Sequence, residues 1–164
     1  MFVNSEDWKF SIEETFGDTE EEKRILDQRI KVRDLDEDQI FTFEMVAHEG
    51  FEFANDLIIL VPNNETNDEA YLQVVKPIDR ENQDIILVNG TLKYVISVYD
   101  GQNNTNHIEI EIEILDQNDC SPTFIQNGIP NNQYQFSLPE DKTNNTLVFT
   151  LEVEDKDISG KFNG

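Results

Sequence analysis

The stretch from Leu115 to Phe124, LDQNDCSPTF, concentrates groups suited to holding a metal. Asp116, Asn118 and Asp119 place three side-chain oxygens within four residues, and Pro122 follows. Proline locks φ and biases the preceding residue away from helix, so an extended connector leaves this cluster. Carboxylate and amide oxygens are hard ligands, and calcium takes six to eight of them at about 2.3 to 2.6 Å in flexible geometry. Further carboxylates stand apart in the chain: Glu14, the pair Asp34 and Asp36, the pair Asp79 and Glu81, Asp100, and the pair Asp155 and Asp157. What they do depends on the elements that carry them.

Those elements are strands. From Ile108 to Ile114 isoleucine alternates with Glu109, Glu111 and Glu113, a period of two that puts the isoleucines on one face and the carboxylates on the other. The same reading gives strands at about Trp8 to Ile12, Arg24 to Val32, Ile40 to Met45, somewhere between Phe51 and Val61, Ala70 to Val75, Thr91 to Tyr99, and His107 to Leu115. No helix of usual length fits between them. If consecutive strands run antiparallel, as short connections favour, their ends alternate between two poles. Glu14 follows the first strand, Asp79 and Glu81 the fifth, and Asp116 to Asp119 the seventh, so all are expected at the trailing pole. Asp34 and Asp36 follow the second strand and Asp100 the sixth, which puts them at the leading pole. An eight-residue strand is roughly 26 Å long, so the two groups are separate sites. Carboxylates gathered at one joint would repel by ~1 kcal/mol per pair at ~4 Å in water, and divalent cations reverse that sign.

Composition limits the partners. With 35 acidic and 12 basic residues the formal net charge is −23, which repels nucleic acid and anionic lipid. The hydrophobic content of 37% and aromatic content of 10% suffice for a packed core. No apolar run reaches the ~18 residues of a membrane helix, and the first ten residues lack the basic and apolar regions of an export signal. The single cysteine, Cys120, permits no internal disulfide and says little about redox compartment. Asn64, Asn89, Asn103 and Asn144 each begin an Asn-x-Thr triplet, candidate glycosylation sites that suit a secreted surface.

The chain also resembles itself. WKFSIEE from Trp8 recurs as YQFSLPE from Tyr134, and Val32, Asp34 and Asp36 recur as Val153, Asp155 and Asp157, at offsets of 126 and 121 residues. This indicates a tandem repeat: residues 1–119 hold a complete copy, 120–132 a linker and connector, and 133–164 the first two strands of a second. The expectation is a piece of a longer protein. Asp155 and Asp157 would then face Glu14, Asp79, Glu81, Asp116 and Asp119 across the connector.

Other chemistries fit poorly. An EF-hand opening at Asp34 would need glycine where Gln39 stands and glutamate where Met45 stands. A zinc-protease motif at His48-Glu49 lacks its second histidine at Glu52. A glycosidase needs two carboxyls across a sugar cleft, and none is signalled. Acidic surroundings would raise the Cys120 thiol pKa and make it a poor nucleophile. Trp8 reads as an ordinary first-strand aromatic.

In their order, these motifs resemble the extracellular repeat of the cadherin family. Glu14 and Glu140 match its glutamate after the first strand, Asp34-Leu35-Asp36 and Asp155-Lys156-Asp157 its DxD, Asp79-Arg80-Glu81 its DRE, Asp100 its aspartate after the sixth strand, and LDQNDCSPTF its DxNDNxPxF linker. The resemblance implies an all-β fold, a Greek-key seven-stranded β-sandwich of immunoglobulin-like type, with about three Ca2+ ions per linker. Asp116, Asp119 and the Gln117 carbonyl would join Glu14, Asp79 and Glu81 around two of them. Asn118, the Cys120 carbonyl, Asp155, Asp157 and Asn163 would hold the third. Asp34, Asp36 and Asp100 would serve the upstream joint. Cys120 departs from the pattern, standing where the linker usually ends in asparagine. The implied function is calcium-dependent, homophilic cell adhesion by a rod of repeats, without enzymatic activity, on the extracellular face of the plasma membrane. Its partners would be neighbouring repeats of the same chain and the same or a related cadherin on another cell. A calcium-stiffened receptor or tether for a different ligand is the alternative.

Overall fold

The computed structural model describes residue 2 and residues 8–14, 24–35, 40–102 and 104–157, with backbone alone at 24–28. Asp36 and Asn163 among the expected ligands, and Asn103 among the triplets, lie outside the described residues. The chain divides into two compact units, Met1–Gln117 and Asn118–Gly164.

The first unit contains seven strands: β1 (Lys9–Glu13), β2 (Arg24–Lys31), β3 (Thr42–Ala47), β4 (Ile58–Pro62), β5 (Glu69–Val74), β6 (Thr91–Tyr99) and β7 (Thr105–Leu115). One sheet has the order β1-β7-β6-β3 and the other β2-β5-β4. β6 pairs antiparallel with both β7 and β3, whereas β1 runs parallel to β7, with Lys9 opposite Glu111 and Glu13 opposite Leu115. Parallel pairing is what two odd-numbered strands of an alternating chain must adopt when they become neighbours. The unit is a seven-stranded Greek-key β-sandwich.

Alternation builds its core. On β7, Ile110, Ile112 and Ile114 are buried while Glu109 and Glu113 face water. Leu92, Tyr94, Ile96 and Val98 do the same on β6, and Leu72 and Val74 on β5. Each such side chain contributes about 1.5 to 3 kcal/mol by leaving water. The buried Tyr94 hydroxyl donates to the Ala54 carbonyl at 3.0 Å, so this one polar core atom is satisfied. Trp8 packs partly buried against the same core, edge-on to Phe2 and Phe10.

Two short helical pieces interrupt the strands: a 3-10 turn at Glu52–Asp56 and α1 at Gln83–Leu87. α1 is capped by Asn82, whose Oδ1 accepts from the Asp84 N–H at 2.9 Å. Five residues are too few to display a helical period, so neither piece is visible in the sequence pattern.

The second unit holds β8 (Thr123–Gln126), β9 (Ile129–Pro130) and β10 (Glu152–Glu154) in the order β10-β8-β9. Asn127 and Gly128, both at positive φ, turn β8 into β9. The first of the two strands expected within 133–164 does not form where YQFSLPE repeats the pattern of β1. Its counterpart β1 is held in a sheet by β7, and among the described residues this segment has no such neighbour. Tyr134, Phe136 and Phe149 cluster instead, with ring centroids 4.5 to 6.3 Å apart. No helix among the described residues is long and apolar enough to cross a membrane.

Ile112 has no exposed surface whereas Leu87 is 75% exposed. Ile112→Ala should therefore cost the first unit about 3 kcal/mol, and Leu87→Ala less than about 0.5 kcal/mol. Urea unfolding midpoints of the two variants measure the difference.

Candidate metal centre

Three strand ends meet at the trailing pole of the sandwich. Glu14 comes directly after β1, and its N–H donates to the Leu115 carbonyl at 3.1 Å, continuing the β1–β7 ladder by one rung. That fixes where its carboxylate points. Glu14 is buried, and its two oxygens accept from the backbone N–H groups of Arg80 at 2.7 Å and Gln117 at 2.6 Å. The residue after the first strand thus ties down the segments that follow β5 and β7.

Asp79, Arg80 and Glu81 leave the core at buried Ile78. Asp79 Oδ1 accepts from the Glu81 N–H at 2.9 Å, and the Asp79 carbonyl accepts from the Asn82 N–H at 3.1 Å. This compact turn brings carboxylate oxygens of Glu14, Asp79 and Glu81 within 4.8 Å of one another. Asp116, just beyond β7, hydrogen-bonds the Glu81 side chain. Four acids from three distant parts of the chain therefore share one place.

Arg80 does not neutralise them. Its side chain is buried against Gly90, where an added Cβ would fall 2.5 Å from the guanidinium Nε, and Gly90 holds φ +73. Glycine is required there both for the backbone and for the space. None of the ion pairs described in the structure involves Arg80, and its Nη1 is buried without a hydrogen-bond partner.

The electrostatic consequence falls on Glu81. Its Oε1 is buried with no donor. Burial first, then the hydrogen bond that protonated Glu81 donates to Asp116 and the charges of Glu14 and Asp116, push its carboxyl pKa up to about 8. The converging carboxylate oxygens of Glu14, Asp79 and Glu81, one of them buried and unpartnered, fit a hard divalent cation.

The other expected ligands are placed as follows. The Gln117 amide donates to Glu13 Oε2 at 2.8 Å, leaving its main-chain carbonyl as the candidate donor. Asn118 and Asp119 are exposed. Within the second unit the Cys120 N–H donates to Asp157 Oδ1 at 3.0 Å, and the Asp157 N–H donates to Asp155 Oδ1 at 3.2 Å. β8 and β10 pair antiparallel with Thr123 opposite Glu154, which brings the start of one and the end of the other together. At the leading pole, Asp100 accepts from the N–H groups of Gln102 and Asn104 and from the Asn104 amide at 2.7 to 2.9 Å. These bonds, the Asn104 side chain first, hold its pKa below the usual carboxylate range. Asp100 thus closes the β6–β7 turn, and neither it nor Asp34 belongs to a carboxylate cluster among the described residues. Asn64, Asn89 and Asn144 are exposed. The reading of the sequence missed Arg80 and Gly90 as a packed pair and Asn104 as the partner of Asp100.

Known proteins share both fold and sequence. The crystal structure of Protocadherin Gamma C5 EC1-3 superposes with a TM-score of 0.65 at 19% identity, covering 95% of this chain and 44% of that one. Protocadherin Gamma B7 extracellular cadherin domains 1-4 superpose with a TM-score of 0.61 at 21% identity, covering 95% of this chain and 34% of that one. In sequence, 90 residues are 31% identical to Cadherin-related family member 1 of Xenopus laevis, a match over 55% of this chain and 9% of that protein. Over 141 residues, 86% of this chain, the identity to Protocadherin-15 of Mus musculus is 27%, with 6% of that protein spanned. The relatives and the structural neighbours alike are cadherin-related proteins and protocadherins, which supports the resemblance to the cadherin family. No family model matches the chain. The chain spans less than a tenth of the length of those two relatives.

The raised pKa of Glu81 contributes to the pH response of the cation-free sandwich. A carboxyl held protonated in the folded state stabilises it below the ordinary glutamate range, and that contribution is lost as pH rises toward about 8. In chelator, the melting temperature should fall between about pH 5 and about pH 8, and Glu81→Gln should flatten that slope. A wild-type profile indistinguishable from that of Glu81→Gln contradicts this assignment.

Proposed function

We propose that this chain is part of the ectodomain of a calcium-dependent cell adhesion protein, and that calcium bound by its carboxylates stiffens the succession of repeats. The observation that carries this reading is the convergence of Glu14, Asp79 and Glu81 within 4.8 Å, with a buried Glu81 oxygen that has no donor. A cation replaces the shared proton on Glu81, turns mutual repulsion into shared attraction, and binds the ends of β1, β5 and β7 into one unit.

The ligands are Glu14, Asp79, Glu81, Asp116, Asp119 and the Gln117 carbonyl for two ions. Asn118, the Cys120 carbonyl, Asp155, Asp157 and Asn163 serve a third, so that ions are shared by consecutive repeats. Residues 1–119 form one repeat, 120–132 the linker and 133–164 the beginning of the next. Asp34, Asp36 and Asp100 serve the joint on the other side. The role is non-enzymatic. It belongs outside the cell, on a membrane-anchored parent, where calcium is millimolar and extracellular modules of this affinity are filled. Adhesion is homophilic, through repeats of the same or a related cadherin on a neighbouring cell.

Calcium titration of this chain should raise its melting temperature, with half-saturation at about millimolar calcium or below. At ten times Kd the stabilisation is about 1.4 kcal/mol. Asp79→Asn should weaken binding by at least about tenfold, since a charge is lost from the site, while a change at exposed Asp141 should leave it unaltered. A melting temperature insensitive to calcium defeats the proposal.

A further inference from the structure

The carboxylate cluster makes no use of the Asn-x-Thr triplets, and the fold treats these triplets unequally. Asn64-Glu65-Thr66 lies at the tip of the loop joining β4 to β5, with all three residues exposed. The preceding residue shapes that loop. Asn63 Oδ1 accepts from the Glu65 N–H at 3.0 Å, its carbonyl accepts from the Asn67 N–H at 3.0 Å, and its amide donates to the Tyr71 hydroxyl at 3.1 Å. Neither the Asn64 nor the Thr66 side chain takes part in a described hydrogen bond. Substituting or modifying them leaves the loop's own bonding intact.

Beside Asn64 lies a recess of about 410 Å3 whose walls include Val61, Pro62, Tyr71 and Gln73. It combines an aromatic ring and aliphatic surface with amide groups, the surface that a sugar's C–H face and hydroxyls can both use. Two of the other triplets, those at Asn89 and Asn144, are built into their surroundings. In Asn89-Gly90-Thr91, Gly90 is buried over Arg80 and Thr91 opens β6. In Asn144-Asn145-Thr146, the Thr146 hydroxyl donates to the Thr143 carbonyl at 2.7 Å.

We propose that Asn64 is an N-glycosylation site whose glycan lies over the recess beside β4. The inference rests on the extracellular location proposed above. A lipid-diphosphate-linked oligosaccharide is the donor. The Asn64 amide nitrogen forms the bond to the anomeric carbon, the carbon–oxygen bond to the diphosphate breaks, and the amide proton is released as the lipid diphosphate leaves. The glycan has a structural consequence. Among the described residues β4 is an outer strand, paired on one side only, and Ile59 on it is 41% exposed. Unpaired strand edges invite unwanted pairing. Pro62 and the glycan together cover this edge, which closes it to adhesive partners.

The test is to secrete the whole chain from animal cells behind a cleavable leader. Each triplet falls in its own tryptic peptide, 34–80, 81–93, 94–142 or 143–156. Removal of glycans by a glycoamidase in heavy-oxygen water should convert Asn64 to labelled aspartate in most copies of peptide 34–80. Thr66→Ala should abolish the label there without changing the calcium-dependent melting of the same preparation. Recovery of peptide 34–80 unglycosylated from secreted, calcium-responsive protein overturns the glycan assignment alone. Secreted protein labelled at Asn64 but unresponsive to calcium upholds this site and overturns the metal reading instead.

Discussion

Carboxylates held this close cannot all remain ionised without help. At ~4 Å two unit charges repel by about 1 kcal/mol in bulk water and about 4 kcal/mol at an effective dielectric constant of 20. The fold offsets part of this with backbone donors: Arg80 and Gln117 to Glu14, and Glu81 to Asp79. Glu81 is left with an oxygen that no donor reaches, and it keeps a proton up to about pH 8. A divalent cation relieves the same conflict more fully, because it meets every carboxylate at once. Under the proposed function, calcium is then a structural component and not an occasional ligand.

The constraint extends into the core. β1, β5 and β7 deliver their acids to one pole because they are odd-numbered strands of an alternating chain, and their register is pinned by the buried faces. Sliding β7 by one residue would turn Ile110, Ile112 and Ile114 outward and Glu109, Glu111 and Glu113 inward. Hydrophobic burial therefore decides where Asp116 emerges, and the parallel β1–β7 ladder decides where Glu14 does. Between them, the close packing of Arg80 on Gly90 holds the Asp79–Glu81 turn. The cost is a buried guanidinium nitrogen without a partner.

How far the sequence reveals this differs by element. Long alternating strands such as β6 and β7 are legible because burial of one face imposes a period of two. Counting strands then suffices to send Glu14, Asp79 and Glu81 to the same pole, with no knowledge of sheet order. The five-residue α1 and the two-residue β9 are too short to show a period, though the Asn127-Gly128 turn between β8 and β9 is a recognisable signal. Tyr134 to Pro139 alternates as a strand should, yet forms none among the described residues, because strand formation needs a partner that local pattern does not supply. The turn at Asp100 is not legible either. Asn104, four residues on, engages its carboxylate, a pairing that residue type alone does not announce.

The most direct test of the account is the position of the ion itself. Crystals grown with calcium should give an anomalous peak about 2.3 to 2.6 Å from oxygens of Glu14, Asp79 and Glu81. A chain crystallised in ample calcium with no peak there, or with peaks confined to other carboxylates, would contradict it.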